Sequence, residues 1–540
     1  MELGQHRSLD RHRDGVDGLR AVLTMDDERA DESLGALVSR RQTSQCQNFP
    51  AFRHGRYLTL VVIALDVGTS SARAALYDES GRPLPGRSHQ VPYSPTMTPD
   101  GGVEHDAARL LDAVAACLDG VHPNRPPAET RAVGVTTFWH GLLGFDASGR
   151  PITPVYMWGD TRSARDAQLL RGALDDDALH GRTGCHLHSS YWPAKLRWLA
   201  RERPTESRRV ARWGSFGEFL ELALFGEATT SVSMASATGL FDQSAGRWDA
   251  EALAAAEIDE RHLFRLAGRA EPRRGLRAPW ARRWPALRSA SWFSAVGDGA
   301  ASNVGSDCVD PTRIALNVGT SAAMRVVTRE PGVPPRGLWR YRVDGRRSVV
   351  GGATSEGGNV YAWCRRTLQL APDEEVEAAL AALPPDGHGL TVLPHLAGER
   401  SPGWRGDRRG AIGGLRLDTT GVEILRAALE AVALRLAMVY ELLAPCAAGD
   451  HTIVASGAAL GRSRAWTQIV ADALGRTITW SSEPEATSRG AALLTLEALG
   501  VLPDLGTARQ PLGEAFTPDR ARHARYRDAL ERQRRFDERV

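Results

Sequence analysis

Lysine is almost missing from this sequence: of 67 basic residues only Lys195 is a lysine, and the rest are arginine. A coding bias accounts for the pattern, although a lone lysine also fits a place where a compact ammonium is wanted. An excess of either charge sign is missing too. The 67 basic and 65 acidic side chains leave a net charge of +2, so no global field draws the chain to nucleic acid or an anionic membrane. The six cysteines, Cys46, Cys117, Cys185, Cys308, Cys364 and Cys446, include no CxxC pair, the pattern of reduced thiols in a cytosolic protein rather than of a disulfide framework. No long apolar run is present near the start: Leu58 to Leu65 falls far below the roughly 20 residues that span a bilayer, and no small-residue cleavage site follows it. A cytoplasmic location is the expectation. What remains is the composition of a folded chain, 42% apolar and 24% charged over 540 residues, long enough for more than one core.

Residues 1–58 are rich in polar and charged residues without apolar periodicity, and read as a disordered, dispensable extension or the product of an upstream start. The arginine-rich stretch from Asp519 reads as a solvated helix within a charged C-terminal tail, 506–540, that carries no chemistry. Between these ends lies an internal repeat. ALDVGTS at 64–70 returns as ALNVGTS at 315–321, six identities in seven at an offset of 251 residues. Each copy follows an apolar run and precedes another, which predicts a strand, a tight turn and a returning strand. The offset is too long for a solenoid repeat, so the chain reads as a duplicated α/β domain, 59–305 and 306–505, with a cleft between the halves. Helices are predicted over 107–118, 422–443 and 465–474, and strands over 132–137 and 452–455. This alternation points to mainly parallel sheets covered by helices.

A Gly-Thr-Ser turn presents consecutive backbone N–H groups and hydroxyls to a phosphate without needing a lysine. The two turns, Gly68, Thr69, Ser70 and Gly319, Thr320, Ser321, are therefore candidate phosphate cradles. Asp66, before the first turn, is placed to order Mg2+ or its waters, because a hard cation bridging phosphates takes carboxylate and water oxygens. The second copy has Asn317 there, so only one half keeps the charge.

The chain resembles the FGGY family of carbohydrate kinases, and within it the gluconokinase group, over roughly residues 60–505. The likeness rests on ALDVGTSSARAALYD at 64–78, TTFWHGLLGFDASGRPITPVYMWGDTRSA at 136–164, SMASATGLFD at 233–242 and VGDGAASNVGS at 296–306. It continues with NVGTSAAMRVV at 317–327, GGATSEGG at 351–358, LPHLAGERSPGW at 393–404 and ASGAALGRSRAWTQIVADALG at 455–475. The resemblance implies two ribonuclease H-like, actin-type domains, ATP as donor with Mg2+, and a small sugar or sugar acid as acceptor. D-gluconate is the first expectation and D-xylulose the runner-up. A homodimer is the candidate assembly, with no nucleic-acid or membrane partner. A non-catalytic sensor and a protein-directed ATPase are the competing readings; Asp66, Asp298 and both turns count against the first, and the run around His140 and Trp158 counts against the second.

By the same resemblance Asp298, between two glycines, is the general base that takes the proton of the attacking hydroxyl. Arg73 would meet charge on the transferring phosphoryl group. His140, Trp158, Asp160, Arg162 and Lys195 are the candidate sugar contacts, and Gly457, Ala458 and Ala459 the turn that admits adenosine. Two departures from the family stand out. Alanine tolerates positive φ poorly, so Ala458 and Ala459 in place of glycines put the nucleotide turn in question; Ser355 and Glu356 stand where the family has asparagines. Cys185, His186 and His188 could attract a zinc reading, but no second cluster at ligand spacing accompanies them.

Overall fold

The run VVIALDV offers no polar face to solvent and suits a strand covered on both sides. In the computed structural model, which describes residues 60–121, 130–267, 271–330 and 332–540, it forms β1 (Val61–Val67). The expected N-terminal extension, 1–58, lies outside the described residues. The Gly-Thr-Ser turn sends the chain back antiparallel as β2 (Ser71–Asp78), with Asp66 opposite Arg73, and β3 (Pro83–Pro92) pairs antiparallel with β2. Helix α1 (Ala107–Val121) leads to β4 (Thr130–Thr137), parallel to β1. After a long insertion carrying α2 (Trp192–Glu202), β5 (Ser291–Gly297) pairs parallel with β4 and runs into α3 (Asp298–Gly305). The sheet order is β5-β4-β1-β2-β3.

The second half repeats this plan. Strands β6 (Arg313–Val318) and β7 (Ala322–Thr328) form the second hairpin, followed by β8 (Trp339–Arg342), β9 (Ser348–Thr354) and α4 (Gly358–Thr367). Helix α5 (Gly421–Leu443) opens with a capping box between Thr420 and Glu423. Then come β10 (Thr452–Ser456), α6 (Ala458–Gly461), α7 (Arg464–Leu474) and β11 (Ile478–Trp480). Helix α8 (Ala486–Ala498), the short β12 (Ala515–Phe516) and α9 (Arg520–Asp537) complete the chain. This sheet runs β8-β9-β7-β6-β10-β11-β12, so β6, β7, β9, β10 and β11 match β1, β2, β3, β4 and β5 in order and direction. The duplication read from the repeat is thus a duplication of sheets.

The expectation of mainly parallel sheets needs correction. A three-residue turn can join only antiparallel strands, so each domain begins as an antiparallel meander, and the parallel pairs are β1 with β4 and β4 with β5 in the first half, β6 with β10 and β10 with β11 in the second. The C-terminal region also differs from a solvated tail. Strand β12 pairs with β11, and α9 buries Tyr526, Ala529 and Leu530 in the core of the second half. Its arginines line the other face, which is what hid the apolar stripe in a composition count.

Helix α8 follows the second half in sequence but packs on the first. Ala491, Ala492 and Leu496 join Val62, Ala64 and Ala132 in one apolar cluster. It crosses α3 at backbone contact: a Cβ on Gly490 would lie 1.8 Å from the Ala301 carbonyl oxygen, and one on Gly305 1.7 Å from that of Ala486. Among the described residues no helix is long and apolar enough to cross a membrane.

Candidate active site

Asp298 is the first residue of α3, immediately after β5. Its carboxylate accepts the backbone N–H of Gly299 at 2.7 Å and that of Trp139. The flanking glycines owe their presence to Trp139: a Cβ on Gly297 would sit 1.9 Å from the indole, and one on Gly299 2.5 Å from it. Burial raises the Asp298 carboxyl above the usual carboxylate range, with the Arg325 guanidinium pulling against that rise. Asp66, near the end of β1, has a buried Oδ1 with no partner. Burial first, and the Asp298 charge second, push it up to about 7, while Arg73 opposes the shift. Two carboxylates within electrostatic reach of each other make the spot hungry for a cation.

Arg73 lies opposite Asp66 on β2. One guanidinium nitrogen donates to Gln90 Oε1 at 2.5 Å, and another pairs with Glu485, at the start of α8. The first turn is held by Gly68 N–H donating to the Ser71 carbonyl at 2.9 Å and by Tyr93 Oη donating to the Gly68 carbonyl at 2.8 Å. In the second turn Gly319 N–H donates to the Ser321 carbonyl at 3.0 Å, while the first N–H groups of α4, from Gly358 and Asn359, donate to the carbonyls of Gly319 and Thr320 at 2.7 and 3.1 Å. Gly357 and Gly358 are needed for this approach, since a Cβ on Gly358 would meet the Ala459 Cβ at 2.6 Å. The second turn, the start of α4 and the start of α6 therefore converge on one place. At that place only Gly457 has positive φ, 104°, and its Cβ would lie 2.4 Å from the Val318 carbonyl oxygen. Ala458 and Ala459 form the first turn of α6, so the alanines meet no conformational obstacle and the concern raised by the sequence disappears.

On the sugar side His140 holds a φ of 65° and its Nδ1–H donates to the Ala237 carbonyl at 2.6 Å. Burial drives the ring down to about 3, so it is neutral at pH 7 with Nε2 as acceptor. Lys195, on α2, donates to the carbonyls of His140 and Ser190, each at 3.0 Å, and is only 1% exposed. Two of its three ammonium N–H donors thus brace the His140 and Ser190 backbone, and burial pushes the group down to about 7. Asp160 and Arg162 are likewise engaged with protein groups. Arg162 Nε donates to Asp160 Oδ1 at 3.1 Å, its Nη2 reaches Glu104 at 2.6 Å, and its guanidinium sits 4.5 Å over the Trp198 ring. Both side chains are buried and engaged with each other, which holds the Trp158 loop in place. Trp158 is half-buried, with the Arg400 guanidinium 4.7 Å over its ring.

Several residues at this site were not singled out from the sequence. Arg325 interrupts the buried strand β7, and a charge inside an apolar strand is a readable signal. Tyr191 and Tyr341 share a hydroxyl hydrogen bond of 2.6 Å between the halves, and their rings stand 5.1 and 5.4 Å from His140. Glu356, which the sequence did mark as standing where the family has asparagine, accepts the Ala397 N–H at 3.2 Å beside Arg400, and burial pushes it up to about 7. The cluster at 185–188 is structural: His186 Nδ1 lies 3.1 Å from Asp176, and its Nε2 accepts the Gly337 N–H at 3.2 Å.

Two duplicated sheets, a buried aspartate at the head of α3 and glycine-dependent turns facing it lead to comparison with known proteins. The N-terminal domain model of the FGGY family of carbohydrate kinases matches residues 61–305, and the C-terminal domain model matches 314–499. The chain belongs to the FGGY family. FGGY carbohydrate kinases use ATP on small sugars, and the protein is accordingly an ATP-dependent carbohydrate kinase with the two-domain, actin-type fold. It is 26% identical over 472 residues to a gluconokinase of Bacillus subtilis (strain 168), covering 85% of this chain and 91% of that protein. A xylulose kinase of Streptomyces rubiginosus is 29% identical over 455 residues, covering 82% of this chain and 88% of that protein. The crystal structure of a gluconate kinase from Lactobacillus acidophilus superposes with a TM-score of 0.81 over 89% of this FGGY chain and 98% of its own, at 24% identity, a likeness of fold.

Proposed function

We propose that the protein phosphorylates the primary hydroxyl of D-gluconate to 6-phosphogluconate, with Mg2+-ATP as donor and in the cytoplasm. The observation that carries the reading is Asp298: a buried carboxylate fixed by two backbone N–H groups, raised in basicity, within electrostatic reach of Asp66 and Arg325. The acceptor hydroxyl gives its proton to Asp298 while its oxygen attacks the γ-phosphorus. The bond from phosphorus to the β,γ-bridging oxygen breaks, ADP leaves with that electron pair, and the proton stays on Asp298 until solvent removes it. Arg325 limits the rise of the Asp298 carboxyl and keeps it available as a base. Neutral His140 accepts a sugar hydroxyl at Nε2, and Trp158 gives an apolar face to the C–H side of the chain.

The turns at 68–70 and 319–321 supply backbone N–H groups and hydroxyls for phosphates, and Gly457, Ala458 and Ala459 allow close backbone approach by adenosine. Asp66 fits a magnesium ion, because its Oδ1 is a buried acceptor without a partner and a second carboxylate faces it. When bound, that ion would offset phosphate charge, and Asp66 would hold it directly or through its water. Gluconate ranks first because two gluconokinases of the genus Bacillus, at 26% and 25% identity, are among the relatives. D-xylulose is the second reading, on the strength of the Streptomyces relative.

The test is a coupled ADP-release assay with Mg-ATP against gluconate, xylulose, ribulose, fuculose, glycerol and erythritol. Gluconate is expected to give the highest kcat/KM. Turnover on a neutral sugar alone would move the assignment to the runner-up, and ATP hydrolysis indifferent to every sugar would refute sugar phosphorylation.

A further inference from the structure

Buried guanidinium groups in this protein usually have a carboxylate beside them. Arg162 has Asp160 and Glu104, Arg347 has Asp344 and Glu497, Arg426 has Glu430, Arg435 has Glu399, and Arg489 has Asp307. A charge taken from water without such a partner is costly. Arg340, Arg325 and Arg400 depart from this pattern. Arg340 is satisfied by the Gly332 and Glu330 carbonyls, and Arg325 has the Asp298 charge in electrostatic reach. Arg400 comes from the 393–404 loop of the second half, sits over the Trp158 ring of the first at 4.7 Å, and has no ion pair among the described residues. Of five guanidinium N–H donors, Nη2 reaches the Thr354 carbonyl at 2.8 Å and Nε has no partner although buried.

The groups facing Arg400 do not supply the missing charge. His140 and His188 feel it as a like charge when protonated, and both are held neutral by burial. Tyr191 and Tyr341 are neutral phenols already bonded to each other. Glu356 is the acid within electrostatic reach, but its carboxylate takes the Ala397 N–H and makes no ion pair with Arg400. A planar, donor-rich cation set over an indole, with a buried Nε donor left unpartnered, matches a carboxylate in geometry as well as charge.

We propose that Arg400 binds the carboxylate of a sugar-acid substrate and is the specificity-determining residue that favours aldonates over neutral polyols in this cleft. The proposal rests on the kinase reading and deepens it. In an open-chain aldonate the carboxylate and the primary hydroxyl are at opposite ends. Arg400 takes one end on Trp158, and Asp298, in the neighbourhood of Arg325, takes the other. Lys195, a candidate sugar contact from the sequence, is engaged with two carbonyls.

The test is steady-state kinetics of wild type, Arg400→Gln and Arg400→Lys, with gluconate and ATP varied in turn and folding checked by Tm. Loss of the guanidinium is expected to raise the gluconate KM by about 100-fold, within the range for truncating one partner of a buried, hydrogen-bonded charge pair, with KM for ATP shifted less than about threefold. Arg400→Lys keeps the charge without the planar fork and is expected to recover part of the loss. In wild type, galactonate should compete with gluconate at least about tenfold better than sorbitol, which has no carboxylate; this comparison needs no variant to fold. An unchanged gluconate KM in Arg400→Gln, an equal rise in KM for ATP, or sorbitol competing as well as galactonate would overturn the assignment. Wild-type turnover of neutral sugars only would refute the gluconate reading and this site together, a result distinct from any of those three.

Discussion

At the scale of single residues, the site depends on carboxylates whose environment raises their proton affinity. Asp298→Asn keeps the shape and the accepted N–H contacts but removes the base, so kcat is expected to fall by about 10²–10⁴-fold while ATP binding, read by fluorescence titration or calorimetry, stays close to wild type. Near-normal turnover would refute the assignment of the base. Asp66 makes a different prediction. Burial pushes its carboxyl from the ordinary aspartate range, about 4, up to about 7 in the folded chain. Between those values the folded state holds a proton that the unfolded chain has released, so this group's contribution to stability declines as pH rises from about 4 to about 7. Asp66→Asn removes that dependence. In metal-free protein the Tm of Asp66→Asn relative to wild type should therefore be higher at pH 8 than at pH 5. Added Mg2+ should raise the wild-type Tm at pH 8 and leave the variant unmoved.

Elements show where the sequence was legible and where it was not. The helix expected over 422–443 is Gly421–Leu443 and the strand expected over 452–455 is Thr452–Ser456, because long apolar periods and β-branched runs are local signals. The repeated turn revealed the duplication and the position of Asp66. Roles set by distant partners were invisible: nothing near Asp160 and Arg162 tells that they neutralise each other, and nothing near Lys195 shows two carbonyls around it. Helix α9 is the clearest case, since its arginine-rich sequence suggested a tail. Leu530 is 1% exposed, so Leu530→Ala is expected to cost about 2–4 kcal/mol in urea unfolding. The helix also ends on Asp537, which pairs with Arg405 and with Arg435 at 3.6 Å, next to Glu399 on the loop that carries Arg400. Asp537→Asn should accordingly raise KM for the sugar more than KM for ATP, and equal shifts would argue against a link between α9 and that loop.

For the molecule as a whole, the two halves are joined by contacts of different kinds. Helices α3 and α8 cross with their backbones touching at Gly305 and Gly490, a fixed junction that side chains would force apart. Away from it the halves also share a buried apolar cluster, in which Trp339, Tyr341 and Trp404 pack with Trp139 and Tyr191, together with the Tyr191 to Tyr341 hydroxyl pair and the Arg73 to Glu485 ion pair. A kinase must open to admit its substrates and close to exclude water, and the exposed Arg73 to Glu485 tie is the contact that opening would break at least cost. Arg73 has two conceivable duties here, as a tie to Glu485 and as a charge for the phosphoryl group, and a double-mutant cycle separates them. If Arg73 meets the transferring phosphate, Arg73→Ala should lower kcat by about 100-fold. Glu485→Gln, which leaves the guanidinium in place without its partner, should then change kcat by less than about threefold, because an ion pair with a half-exposed carboxylate contributes little on its own. Equal losses in the two single variants, with no further loss in the double variant, would mean that Arg73 acts only through Glu485, as a tie between the halves.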